Sequence, residues 1–233
     1  MILNTESRLV GWRDIGPEVR HFFFEVPGVE RFEFTPGQFV SLTEELSGKK
    51  ITRAYSIASP PGDNRFELSL NRVNEGVFSP HLFNLRPGDL VPIKGPYGVF
   101  TLRNPARDSV FVATGTGIAP FRSMLRSRLP EDPDHRFTLL FGCREETSLL
   151  YREEFEQLER DHSNFRFLPT LSRPSQGWPS RRGRVQAHVE EATSGRRDLD
   201  VYVCGLKEMV NDVRELLKQL GFDRKQIHSE RYN

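Results

Sequence analysis

The spacing of apolar residues changes once along this chain, and that change limits the possible folds more than any other feature. Up to about residue 103 the apolar residues form short or alternating runs, "HFFFEV", "GQFVSL", "RAYSIA", "FELSLNRV" and "VPIKG". Turn chemistry separates them: "VPGVE", "TPGQ", "SPPGDN", "RPGDL" and "KGPYG". Pro-Gly punctuation between β-branched and aromatic runs predicts antiparallel strands closed into a barrel or sandwich. After "LRNPARD" strand-length runs alternate with helix-length amphipathic ones. "SVFVATG" leads into "IAPFRSMLRSRL", "RFTLLFGC" into "SLLYREEFEQLERD", and "DLDVYVCG" into "LKEMVNDVRELLKQLG". That alternation predicts parallel βαβ units in a doubly wound sheet, whose ligands sit beyond the carboxyl ends of the strands. The boundary falls at the Asn-Pro turn near residue 104, giving an antiparallel β domain over 1–104 and an α/β domain over 105–233.

Charge excludes several classes of partner. Lys and Arg total 33 against 32 Asp and Glu in 233 residues, so no bulk field gathers nucleic acid or an anionic membrane. The apolar start "MILN" gives way at once to "TESR", and no run approaches the roughly 20 apolar residues of a membrane span. The expectation is a cytoplasmic protein. Cys143 and Cys204 are the only cysteines, each beside a glycine in a strand-like segment. That is neither a disulfide framework nor a cysteine-ligated metal site, so no metal is expected.

Three stretches carry chemistry. In "VFVATGTGIAPFRSM" a strand turns into a helix at Thr114, Gly115, Thr116 and Gly117, where glycines admit a close ligand and unpaired N–H groups favour an anion such as a pyrophosphate. In "ITRAYSIASPP" strand alternation sends Arg53 and Tyr55 to one side and Ser56 to the other. A guanidinium matches phosphate geometry, a phenol offers an apolar face with a wet tip, and a hydroxyl both donates and accepts. Arg144, Arg173 and Arg184 fall at predicted strand ends where the adenosine of a dinucleotide lies, and cations there accept a ribose 2′-phosphate. The alternative is that Arg181, Arg182 and Arg184 merely solvate a Ser/Pro/Gly loop.

The order of these parts, followed by "VYVCGLKEMV" and the terminal "SERYN", resembles the ferredoxin–NADP⁺ reductase family over nearly the whole chain. The resemblance implies a β-barrel FAD domain followed by an NADP domain. It implies that Arg53, Ala54, Tyr55 and Ser56 hold FAD, with Arg53 on the pyrophosphate, Tyr55 against the ring system and Ser56 near its reactive N5. "LNRVNEGVFSPHL" looks like the second flavin element, with Arg72, Val73, Gly76, Val77 and Ser79 completing the pyrophosphate site. Cys204 and Gly205 would brace the nicotinamide, with Met209 packing on the next helix. Glu230 would handle protons, and Tyr232 would cover the flavin and move aside; Asn233 follows it, where plant-type members end on the tyrosine. So short a tail is expected to fray. The resemblance further implies Ser172 as a phosphate ligand, NADPH as hydride donor, a separate ferredoxin or flavodoxin as electron carrier, and a monomer. Two alternatives stay open: an NADH-dependent reductase component of an oxygenase, or a non-catalytic flavin and nucleotide-binding redox module.

Overall fold

The computed structural model describes residues 2–232; Met1 and Asn233 lie outside the described residues. The chain divides into two compact units. The first runs to Leu102 and takes in Ala119–Ser127; the second is Arg103–Ile118 with the chain from Arg128 onward.

Unit 1 is built on six antiparallel strands: β1 (Leu3–Gly16), β2 (Val19–Glu25), β3 (Phe39–Leu46), β4 (Lys49–Ser56), β5 (Arg65–Asn71) and β6 (Leu90–Tyr97). Their order is β4-β3-β6-β1-β2-β5. The edge strands β4 and β5 approach each other at an isolated antiparallel bridge between Ile57 and Leu68, which curls the sheet towards a barrel. Alternation makes the inner face: Val91 and Ile93 of β6 are buried, while Leu90, Pro92 and Lys94 are exposed. Phe22, Phe24, Phe66 and Leu68 join them in one core. Each such side chain contributes about 2–3 kcal/mol on burial. One short helix, α1 (Phe78–Phe83), follows the β5 exit. Unit 1 also holds the helix α2 (Ala119–Arg128) up to Ser127. The Ser123 hydroxyl donates to Ser59 O at 2.6 Å, and Arg122 Nη1 donates to Ala58 O at 2.8 Å and Glu67 Oε2 at 2.5 Å.

Unit 2 is a six-stranded parallel sheet of β7 (Ser109–Thr114), β8 (Phe137–Cys143), β9 (Phe165–Leu171), β10 (Arg181–Arg182), β11 (Asp200–Leu206) and β12 (Ile227–Tyr232), in the order β10-β9-β8-β7-β11-β12. Residues 109–113 of β7 are all buried, as expected of a central strand covered on both faces. Helix α3 (Arg152–Asp161) follows β8, the short α4 (Val189–Ala192) precedes β11, and α5 (Lys207–Gln219) follows it. The buried residues of α5, Met209, Val210, Val213 and Leu217, fall on one face and pack in the unit's core. The sequence departs to opposite sides of β7, first to β8 and later to β11, so the strand order reverses between β7 and β11. Among the described residues no helix is long and apolar enough to cross a membrane.

The expected fraying of the tail is corrected by the sheet. Ile227–Tyr232 pairs in parallel with β11 along its whole length, from Val201 with Ile227 to Leu206 with Tyr232. Backbone hydrogen bonding to a buried strand holds six residues whose side-chain pattern alone shows no strand period.

Candidate functional site

On unit 2 the residues gather where the strand order reverses. The chain leaves β7 through a 3₁₀ turn, Gly115–Ile118, with Gly115 at φ +54°. Gly117 has no room for a side chain: a Cβ there would lie 2.4 Å from Cys204 O and 2.7 Å from Gly205 Cα. Gly205, at φ +146°, is equally confined, its Cβ position 2.5 Å from Thr114 Oγ1 and 2.9 Å from Met209 Cε. The two chain segments therefore pass each other backbone to backbone, which only glycines permit. Thr114 Oγ1, packed against Gly205, is buried with no hydrogen-bond partner among the described residues.

Strand register brings Glu230 opposite Cys204 and Tyr232 opposite Leu206. Cys204 is fully buried. Burial first, and then the Glu230 carboxylate, push its thiol well above the ordinary value, against a hydrogen bond with Tyr232. It therefore stays protonated at neutral pH, a neutral contact surface and not a nucleophile.

Three guanidiniums lie further along the carboxyl edge. Arg144, Arg173 and Arg184 are all exposed, and none has an ion pair among the described residues. Backbone bonds extend the β8–β9 ladder to their level, with Ser172 N donating to Cys143 O at 3.0 Å and Arg173 N to Arg144 O at 2.8 Å. Ser172 is exposed beside them. Arg181 and Arg182, which the alternative reading left merely solvating the loop, also bond to protein groups. Arg181 Nε donates to Glu191 Oε2 at 2.8 Å, and Arg182 Nη2 donates to main-chain carbonyls.

On unit 1, β4 carries the other set. Arg53 is exposed, its Nη1 donating to Thr52 O at 2.9 Å. Tyr55 is half-buried, its ring 6.3 Å from Phe78 at 23°, and burial pushes its phenol up to about 12. Ser56 is buried at the strand end, paired with Phe39 across β3. Beyond β5, Arg72 is exposed, and Val73 and Val77 are 53% and 58% exposed. The turn between them is closed by Gly76 N donating to Val73 O at 2.8 Å. The Ser79 hydroxyl accepts from Val73 N at 2.9 Å, so it shapes its own loop. A phenol ring on an apolar floor, bare valines and two exposed guanidiniums suit a ligand that joins an aromatic ring system to phosphate.

Sequence reasoning missed a buried ionic group in this unit. His21 is fully buried, with Nε2 3.3 Å from Glu67 Oε2, and the same oxygen takes Arg122. The available signals were a histidine heading "HFFFEV" and a glutamate among the apolar residues of "FELSL". Among the described residues no group of three or more His, Cys, Asp or Glu could hold a metal.

Two family models match, one to each set. The oxidoreductase FAD-binding domain matches residues 6–102, and the oxidoreductase NAD-binding domain matches residues 111–215. The ferredoxin–NADP reductase B of Sorangium cellulosum (strain So ce56) is 44% identical over 238 residues, covering 98% of this chain and 97% of that protein.

The chain belongs to the ferredoxin–NADP reductase family.

It is a flavoprotein oxidoreductase by the same finding. The toluate 1,2-dioxygenase electron transfer component of Pseudomonas putida is 28% identical over 88% of this chain, but the reductase spans only 60% of that protein. Among solved structures, the Amycolatopsis cytochrome P450 reductase GcoB superposes with a TM-score of 0.89 at 30% identity, over 99% of this chain and 70% of that one. A ferredoxin NADP⁺ reductase from Neisseria gonorrhoeae, solved with FAD and NADP, gives 0.84 at 24% identity over 98% of both chains, a likeness of fold.

Proposed function

We propose that this reductase moves a hydride between NADPH and a bound FAD, and single electrons to or from a separate ferredoxin or flavodoxin. The observation that carries the reading is the meeting of the Gly115–Ile118 turn with Cys204, whose strand neighbour brings Glu230 and Tyr232 alongside. A close backbone crossing flanked by a neutral thiol, a carboxylate and a phenol suits a flat nicotinamide better than a reacting electrophile.

Residues 1–104 are assigned to FAD and 105–233 to NADP. Bound FAD supplies the exchange between two-electron and one-electron chemistry. The protein's part is binding and orientation. Arg53 and Arg72 neutralise the FAD pyrophosphate, assisted by the loop that Ser79 shapes, and Tyr55 provides an apolar wall. Ser56 is assigned to the reacting edge of the ring system, where its hydroxyl donates or accepts as the charge there changes. Thr114, Gly115, Thr116 and Gly117 receive the NADPH pyrophosphate, and Gly205 lets its segment pack closely on Thr114 beside the Cys204 that supports the ring. Glu230 holds or passes the proton that accompanies flavin reduction, and Tyr232 yields its place to the nicotinamide. Arg144, Ser172, Arg173 and Arg184 bind the 2′-phosphate. Lys49 and Lys50, exposed at the start of β4, suit an acidic carrier protein. The reductase is assigned as a monomer in the cytoplasm.

Stopped-flow reduction of the FAD-loaded protein tests the reading. NADPH is expected to bleach the flavin faster than equimolar NADH, and Ser56→Val to slow the step at least about tenfold, typical of losing one transition-state hydrogen bond. A colourless preparation after incubation with excess FAD, or an unchanged rate in Ser56→Val, would contradict it.

A further inference from the structure

Resting on the reading of Arg144, Arg173 and Arg184 as 2′-phosphate ligands, we propose that Arg182 is a specificity-positioning residue. Together with the Trp178 indole and the Glu146 carboxylate, it braces the loop 172–180, so that Arg173 and Arg184 stand at fixed places beside Arg144.

The loop "SRPSQGWPS" is made of residues that order poorly by themselves. Fixing each backbone residue costs about 1–2 kcal/mol, and a loop that orders only on binding subtracts that cost from affinity. Here the ordering is done by the protein. Arg182 Nη2 shares its two N–H groups among three carbonyls of the loop, Ser175 O at 3.2 Å, Gln176 O at 3.1 Å and Trp178 O at 3.2 Å. Trp178 is only 6% exposed in an otherwise polar segment. Its Nε1 donates to Arg181 O at 2.8 Å, and the Arg152 guanidinium lies 5.4 Å above its ring. Glu146 Oε1 takes both the Ser175 hydroxyl, at 2.6 Å, and the Ser175 N–H, at 3.1 Å. That joins the loop carrying Arg173 to the one that begins at Arg144.

The main chain leading into Arg184 is held to the end of the sheet beside the brace. Gly183 N donates to Leu171 O at 2.7 Å, the Thr170 hydroxyl to Gly183 O at 2.9 Å, and His188 Nε2 lies 3.0 Å from Arg182 O. Within one run of basic residues the labour is thus divided. Arg182, itself exposed, gives its guanidinium to three carbonyls, whereas the guanidiniums of Arg173 and Arg184 have no hydrogen bond or ion pair among the described residues. A dinucleotide lacking the 2′-phosphate gains nothing from this loop, so the brace discriminates between the two nicotinamide cofactors and leaves turnover alone.

The test uses the FAD-loaded enzyme with 2′-AMP and 5′-AMP as probes, alongside KM and kcat for NADPH and NADH. Arg182→Met removes the donors and the charge; Trp178→Phe keeps an aromatic ring and the loop's charge, and removes the N–H together with the second ring of the indole. Both are expected to weaken 2′-AMP about tenfold, near the upper worth of one intramolecular hydrogen bond. KM for NADPH should rise in proportion, with 5′-AMP binding, KM for NADH and kcat within twofold of the parent. Arg182→Lys should recover part of the loss. A loss confined to Arg182→Met, with Trp178→Phe unaffected, would make Arg182 a simple charge and overturn the brace. Equal weakening of 5′-AMP or NADH, or failure of both variants to fold, would mark a general structural support and overturn it too. The double variant Arg173→Ala, Arg184→Ala separates the levels. If it loses 2′-AMP while both brace variants keep it, the brace alone is wrong; if it also keeps 2′-AMP, the reading of the phosphate site falls.

Discussion

Replacing Glu67 by Gln removes one charge from the buried group of unit 1 while keeping its shape and one acceptor oxygen. Burial by itself would raise the Glu67 carboxyl, but the His21 ring and the Arg122 guanidinium override it and hold it at about 2, down from 4.5. That displacement corresponds to about 3 kcal/mol of preference for the ionised form in the folded state. The Glu67 side chain is 22% exposed against 4% for Arg122. Stranding a buried guanidinium costs about 3–5 kcal/mol, so the two routes agree on about 3 kcal/mol. For a chain of this size the melting temperature of Glu67→Gln should fall by about 6–12 °C at pH 7. A group whose carboxyl is depressed on folding stabilises fully above 4.5 and loses that contribution as pH falls through about 2. The gap between parent and variant should therefore shrink over that interval. His21, driven down by burial against the pull of Glu67, also favours the folded state above its ordinary 6.5 and adds to the acid sensitivity of the parent. The diagnostic quantity is therefore the difference between the two proteins below pH 4.5. Melts followed by circular dichroism, both proteins saturated with FAD, measure it. A gap under about 2 °C at pH 7, or one that persists undiminished to pH 3, would refute the argument.

Two further outcomes follow from the unit 2 geometry. Gly117→Ala puts a methyl against the Cys204 carbonyl, which is backbone and cannot swing away; the expected cost is about 1–3 kcal/mol, with a raised KM for NADPH and unchanged flavin content, and a parental KM and melting temperature would sink it. Iodoacetamide at pH 8 should leave both thiols of the native protein nearly untouched, because burial raises Cys204 well above the ordinary range and Cys143 to about 12. For Cys143 the thiolate is thinned about a thousandfold, so mass spectrometry that finds rapid native labelling of either cysteine would contradict the burial argument.

The amino-acid sequence alone determined the two grammars, and with them an antiparallel β half and a parallel α/β half, because side-chain period is a local property of strand and helix. It also located the glycines at the β7 exit and the Arg-Ala-Tyr-Ser strand, since turn geometry and ligand chemistry demand particular residue types in a row. Tertiary structure alone decided which distant residues meet. The tail reads as a loose end until β11 offers it hydrogen bonds, and Glu67 reads as a barrel glutamate until His21 and Arg122 close on it. Three arginines in four positions look alike on the page; only the fold turns Arg182 onto carbonyls and leaves Arg184 without such a partner among the described residues. Such pairings depend on where chain segments far apart in sequence come to rest, and no local pattern encodes that.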